Sequence, residues 1–281
     1  VIINKKLIKG IQASPSTVCK AMNSNNMNSW FITLKPNPRA RLRLFCFPYA
    51  GSGVMIYHTW AEQLPSDVEV YLARLPGREG RLREAPLTRL TPLVHLINAE
   101  IRPLLNKPFA FFGHSMGAII AFELARILRR QSGLEAAHLF ISGRRAPQLP
   151  RDEAITYHLS EPEFTEALRN LNGTPSEVLE HPELMNLVMP LLRADFEVCQ
   201  TYSFVPGAPL TCDMTVFGGL QDPDVPRESL VAWKEQTNGQ CSVRMLPGDH
   251  FFLHSSQALL LRVLNRELQT LMQKTAQVVT V

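Results

Sequence analysis

Six stretches of this chain carry apolar side chains with little interruption: RLRLFCF (41–47), VEVYLARL (68–75), PFAFF (108–112), AHLFISG (137–143), MTVFGG (214–219) and CSVRML (241–246). A strand with one solvated face alternates apolar and polar residues, whereas a strand covered on both faces does not. These runs therefore predict buried, mostly parallel strands. Between them apolar residues recur at helical spacing. In Thr91–Asn106 they are Leu93, Leu96, Ile97, Ile101, Leu104 and Leu105, with Pro103 as a kink or late break. Val54–Leu64, the run after Gly117, Arg227–Thr237 and Ser256–Lys274 also read as helices. Strands alternating with helices predict an α/β fold with right-handed crossovers.

The alternation stops between Gln148 and Pro209. Glu161–Leu171 reads as a helix with Pro162 in its first turn, and Pro182–Tyr202 as one long helix or two, with Pro190 as the break. An all-helical insertion at this point is most simply a lid over a site; a subdomain without a role in function is the alternative. The expected division is an N-terminal extension over 1–38, a core over 39–147 and 210–274, the lid over 148–209 and a fraying tail over 275–281. The extension lacks a sustained apolar segment with a cleavage site, so it does not read as a signal peptide. Much of residues 1–30 is expected to be functionally silent and disordered at least to about residue 26, with Met22 or Met27 as the true start. A chain shortened to Met27 is expected to keep its activity.

The third apolar run leads into Gly113-His114-Ser115-Met116-Gly117 and then a helix. G-x-S-x-G between a strand and a helix places a serine on a sharp turn, and its glycines let strand and helix approach. The backbone N–H of Met116, at a helix N-terminus, is then a candidate oxyanion donor. A serine hydroxyl needs a base, and the base needs an acid to fix its tautomer. With a nucleophile elbow the chain order is Ser, acid, His, each just past the C-terminal end of a strand. Of eight histidines only His250 and His254 follow the last strand, His250 in the loop and His254 near a helix start. His250 stands first and His254 second. For the acid, Asp222 follows the strand 214–219 and Asp224 is the runner-up. Asp213 precedes that strand, Asp195 falls in the insertion as a solvated or ion-paired side chain, and Asp249 points away from its neighbour His250. A second oxyanion donor is expected from the loop after the first strand, Phe47–Gly51. Pro48 has no N–H, so the candidate is Ala50, while Tyr49 lines the pocket or belongs to the core.

Composition narrows the setting. The 281 residues are 45% hydrophobic and 19% charged, with a formal net charge of +4. That charge suits an acidic partner and is too small to be a nucleic-acid signature. Five scattered cysteines without a C-x-x-C pair argue against a disulfide framework or a zinc site and fit a reducing cytoplasm.

With these residues placed, the chain resembles the type II thioesterases that accompany modular polyketide and nonribosomal peptide synthetases, a group that includes the mammalian fatty-acid chain-terminating thioesterase. The likeness covers about Arg41 to Thr270 and rests on an ordered set: LFCFPYAGSG, RLPGREGRLRE, FFGHSMGAIIAFELA, SGRRAP, LLRADF and PGDHFFL. Departures are the N-terminal extension and Gly51-Ser52-Gly53, where many relatives have adjacent glycines. The resemblance implies an α/β-hydrolase fold and a Ser115–Asp222–His250 triad with Ala50 and Met116 as oxyanion donors. It also implies a stand-alone enzyme that clears stalled or wrongly primed acyl and aminoacyl groups from carrier proteins. The substrate would bring its own phosphopantetheine, and no further cofactor or metal is implied. A monomer is expected. Phe196 and Met189 are either liners of an acyl chamber or core residues. Arg78, Arg81, Arg83, Arg144 and Arg145 either face an acidic carrier or are solvated. The competing readings are a general esterase or lipase, a medium-chain fatty acyl-carrier thioesterase, and a catalytically silent scaffold on the same fold.

Overall fold

A computed structural model describes residues 30–150, 154–171, 173 and 176–278. Seven strands form one sheet: β1 (Phe31–Ile32), β2 (Leu42–Phe47), β3 (Val68–Ala73), β4 (Phe109–His114), β5 (His138–Ser142), β6 (Asp213–Gly219) and β7 (Cys241–Leu246). Their spatial order is β1-β3-β2-β4-β5-β6-β7, and every pairing except the antiparallel β1–β3 is parallel. β4, which delivers the G-x-S-x-G segment, lies at the centre.

The unbroken apolar runs are explained by cover on both faces. Phe45, Phe47 and Phe111 point into one core, shared with the helices α2 (Leu90–Ile101) and α3 (Met116–Ser132). The intervening Leu44, Cys46, Ala110 and Phe112 point into the other. There they meet Trp60, from the short helix α1 (Trp60–Gln63), and Leu264 and Leu268, from the closing helix α9 (Gln257–Val278). Aromatic edges interlock across the strands, with Phe47 and Phe111 at 5.6 Å and 85°.

The insertion is helical among its described residues: α4 (Glu161–Asn170), α5 (Ser176–Leu179) and α6 (Pro182–Thr201). Ser160 and Glu163 form a capping box that starts α4. Pro190 lies inside α6 without ending it. Met185, Met189, Leu192 and Val198 are buried along the helix, and that packing holds it through a residue that removes one hydrogen bond. After β6 come α7 (Arg227–Val231) and, after β7, α8 (Phe252–Ser255).

Several expectations need correcting. The sheet begins before Arg41: Phe31 and Ile32 pair with Ala73 and Leu72 of β3, inside the stretch assigned to the extension. Two residues are too few to show a period. What anchors them is Trp30, whose ring lies 4.1 Å under the Arg81 guanidinium and whose carbonyl accepts from the Arg74 N–H at 2.7 Å. The helix expected over Val54–Leu64 is divided into a 3-10 turn, Val54–Tyr57, and α1. Arg102–Leu104, around Pro103, is a 3-10 turn at the end of α2. The last helix runs past Lys274 to Val278. The expectations for residues 1–29, including Met22 and Met27 as starts, lie outside the described residues.

Candidate active site

The G-x-S-x-G turn is as tight as its glycines suggest. Ser115 sits at φ 52°, ψ −110°, a region that non-glycine residues rarely occupy. Its N–H donates to the Ser142 carbonyl of β5 at 2.8 Å, which pins the turn to the sheet. A Cβ on Gly113 would fall 2.0 Å from the Gly117 carbonyl oxygen, and one on Gly117 would fall 2.1 Å from that of Phe47. The first glycine lets α3 start directly against β4. The second lets α3 lie against the loop that follows β2, so that loop and the elbow are in contact. Met116 opens α3, where helix geometry leaves its N–H without an intrahelical acceptor.

Across the same edge of the sheet, His250 Nδ1 and Asp222 Oδ2 are 2.7 Å apart, an ion pair when the imidazole is protonated. The Asp222 side chain is fully buried and that of His250 is 22% exposed, so the carboxylate is fixed while the ring reaches the site. Asp222 Oδ1 accepts from the N–H groups of Asp224 (3.0 Å) and Val225 (3.2 Å), leaving Oδ2 for the imidazole. Asp224, the runner-up acid, therefore supports Asp222 through its backbone. The ring of His250 lies 5.2 Å from that of His114, the residue before Ser115.

His254, the second candidate base, faces elsewhere: its Nε2 shares a 3.0 Å hydrogen bond with the Tyr49 hydroxyl. Tyr49 is 2% exposed and packs edge-on against His114 and Phe251, so it is a core residue that joins the β2 loop to the histidine loop. Burial pushes His254 down to about 4 and holds His114, bonded to Ser142 Oγ at 2.9 Å, well below the usual imidazole range.

The structure moves three sequence candidates. Asp195 is ion-paired, as one of its two expectations had it, but inside the molecule: it is 2% exposed and bidentate to Arg78, at 2.9 and 2.8 Å. Arg78 is thereby withdrawn from any docking surface, as is Arg81, which is engaged by Glu84, Trp30 and the Arg74 carbonyl. Arg83 is exposed, and Arg144 and Arg145 are half-buried. Met189 belongs to the insertion's own small core with Phe164, Leu168 and Leu192, and Phe196 meets Phe164 edge-on at 5.3 Å. The insertion also reaches the histidine loop. Gly173 lies so close to Phe251 that a Cβ there would stand 2.4 Å from the ring. No cluster of three or more His, Cys, Asp or Glu side chains suited to a metal occurs among the described residues, and no described helix is long and apolar enough to cross a membrane.

Residues 42–268 match the profile of the thioesterase domain family. The chain belongs to that family. The gramicidin S biosynthesis protein GrsT of Aneurinibacillus migulanus is 46% identical to this thioesterase over 245 residues, 87% of this chain and 96% of GrsT. Among solved structures, the type II thioesterase BorB from the borrelidin biosynthetic cluster superimposes with a TM-score of 0.78 at 33% identity, covering 87% of this chain and 99% of BorB. ClbQ from the colibactin NRPS/PKS pathway superimposes with a TM-score of 0.79 at 28% identity, covering 83% and 98%. The fold is that of the α/β hydrolases.

Proposed function

We propose that this thioesterase hydrolyses acyl and aminoacyl thioesters on the phosphopantetheine arm of carrier proteins, with Ser115 as nucleophile, His250 as base and Asp222 as the acid that orients it. The observation that carries the reading is the imidazole of His250, held by the buried Asp222 at 2.7 Å and lying 5.2 Å from the ring next to the elbow serine. Its supports are the family and its relatives: BorB is a type II thioesterase and ClbQ comes from an NRPS/PKS pathway.

The chemistry follows from charge movement. Ser115 Oγ bonds to the thioester carbonyl carbon while its proton passes to His250 Nε2. Negative charge gathers on the carbonyl oxygen, where the N–H groups of Ala50 and Met116 receive it. The tetrahedral species collapses, the C–S bond breaks, and His250 returns its proton to the leaving sulfur. Water then attacks the acyl-serine ester with its proton going to His250. Collapse releases the carboxylic acid, and Ser115 Oγ regains a proton from the imidazolium. Asp222 holds the imidazole tautomer and stabilises the imidazolium in both halves. The helical insertion, close over Phe251, acts as the lid that limits water around the acyl-enzyme. Of the original five arginines, the exposed Arg83 is the one that suits an acidic carrier.

The test compares one acyl group carried on a carrier protein, on free pantetheine and on a simple oxyester. The carrier-linked thioester is expected to be hydrolysed fastest, with the carrier advantage shrinking as salt is raised. Ser115→Ala is expected to lower the rate at least about a thousandfold. Equal turnover of the oxyester, without a carrier advantage, would favour a general esterase.

A further inference from the structure

We infer that Asp195, on α6 of the helical insertion, is a positioning residue for the oxyanion loop, so that one buried carboxylate fixes both the seat of the insertion and the direction of the Ala50 N–H. This rests on the reading of Ala50 as an oxyanion donor.

Asp195 Oδ2 accepts from the Gly51 N–H at 2.7 Å and from Arg78 Nη1 at 2.9 Å, and Oδ1 accepts from Arg78 Nη2 at 2.8 Å. Arg78 Nη1 also donates to the Ser52 carbonyl at 2.8 Å. Ser52 in turn closes the loop on itself, its N–H and Oγ donating to the Tyr49 carbonyl at 3.0 and 2.7 Å. Gly51 N belongs to the peptide unit directly after Ala50. Fixing that N–H fixes the rotation about the Ala50 Cα–C bond and leaves the preceding N–H, that of Ala50, to point elsewhere. A loop with neighbouring N–H groups could aim either of them at the site; the acceptor at Asp195 decides which.

Arg78 has a second task. A lone carboxylate one residue from an oxyanion donor would oppose the charge that develops in the transition state. The bidentate guanidinium cancels it while adding a bond to the same loop.

The link spans two parts of the molecule. α6 is tied into the rest of the insertion by Arg193, which donates to the Tyr157 carbonyl at 2.7 Å, and by Gln200, which accepts from Thr156 N at 2.8 Å and Tyr157 N at 3.1 Å. A displacement of α6 therefore carries Asp195 away from Gly51. The oxyanion loop is set when the insertion is seated and released when it shifts, which couples closure over an acyl group to readiness for attack.

Asp195→Ala alone would leave Arg78 buried and unpaired, and lost folding could imitate lost catalysis. The decisive variant is Asp195→Ala with Arg78→Met, which removes both charges together. Thermal melting would report folding, steady-state hydrolysis of an acyl-pantetheine would separate kcat from KM, and an alkyl trifluoromethyl ketone would report affinity for a tetrahedral oxyanion. The double variant is expected to melt close to the parent and hold its KM. Its kcat should fall about 10- to 100-fold, short of removing a donor outright. Ketone affinity should fall by the same factor as kcat/KM. Asp195→Asn, which keeps the shape and one acceptor, is expected to lose less of the same parameter. A folded double variant with parental kcat and ketone affinity would overturn the inference, as would a loss confined to KM. Ser115→Ala run alongside separates the two readings. If it stays active, the catalytic reading fails; if it is inactive while the double variant is fully active, only the role of Asp195 fails.

Discussion

The Asp222 carboxylate has one oxygen on two backbone N–H groups and the other on the imidazole, so its orientation is set independently of His250. Asp222→Asn would keep the shape but offer an N–H where the ring needs an acceptor, favouring the wrong tautomer. The expected result is a fall in kcat of about 10⁴ with melting little changed, measured by hydrolysis and thermal denaturation of the same preparation. Gly117→Ala would drive a Cβ to 2.1 Å from the Phe47 carbonyl. That contact is with backbone, so relief requires α3 and the loop after β2 to part. Activity is expected to drop more than the loss of folded protein explains, which circular dichroism alongside kcat would show. At this scale the sequence was informative where chemistry and chain order coincide. Ser115, Asp222 and His250 each follow an apolar strand in the order an elbow enzyme needs. For Asp195 the ion-paired expectation held, but its partner Arg78 is 117 positions away and no local pattern names it. The helical spacing Met189, Leu192, Asp195, Val198 nevertheless places it on a buried face, and an acid there demands a cation.

Among the elements, the inner parallel strands were plain in the sequence because cover on both faces writes itself as a near-continuous apolar run, as in β4 and β5, whereas the edge strand β7, interrupted by Ser242 and Arg244, is only partly buried. β1 was not, since two residues held by Trp30 and Arg81 carry no period. The split of Val54–Leu64 was equally hidden: Glu79 accepts from Val54 N at 3.2 Å, a contact across 25 positions that no local pattern encodes. The helical insertion was legible as the place where strands cease, and its small separate core explains why it can behave as a unit. Phe164 is fully buried in that core, beneath the Arg193 guanidinium at 4.7 Å. Phe164→Ala is expected to destabilise the insertion by about 3–5 kcal/mol. Hydrogen exchange should then quicken in α4 and α6 while β2 and β4 keep their protection. Equal loosening of the central sheet would mean that the insertion is not a separate unit.

For the molecule as a whole, burial holds several imidazoles neutral. His138, bonded to Thr215 Oγ1 at 2.9 Å, and His254 are both pushed from 6.5 down to about 4. Between those limits the unfolded chain takes up protons that the folded chain refuses, so stability is kept above about pH 6.5 and falls as pH drops toward 4. The share of His138 is a slope of up to about 1.4 kcal/mol per pH unit. Urea midpoints taken from pH 7 to pH 4.5 should show the decline, and His138→Gln should flatten it. The same sheet that buries these rings brings a serine, an aspartate and a histidine from distant parts of the chain to one edge, and in the proposed reaction acyl transfer passes through that serine. The most direct measurement is mass spectrometry of peptides after rapid quenching of the enzyme with an acyl-pantetheine thioester. An acyl group on the peptide that contains Ser115, formed and lost at rates consistent with turnover and absent from Ser115→Ala, is the expected result. Undiminished hydrolysis by Ser115→Ala, with no adduct on that peptide in the parent enzyme, would contradict it.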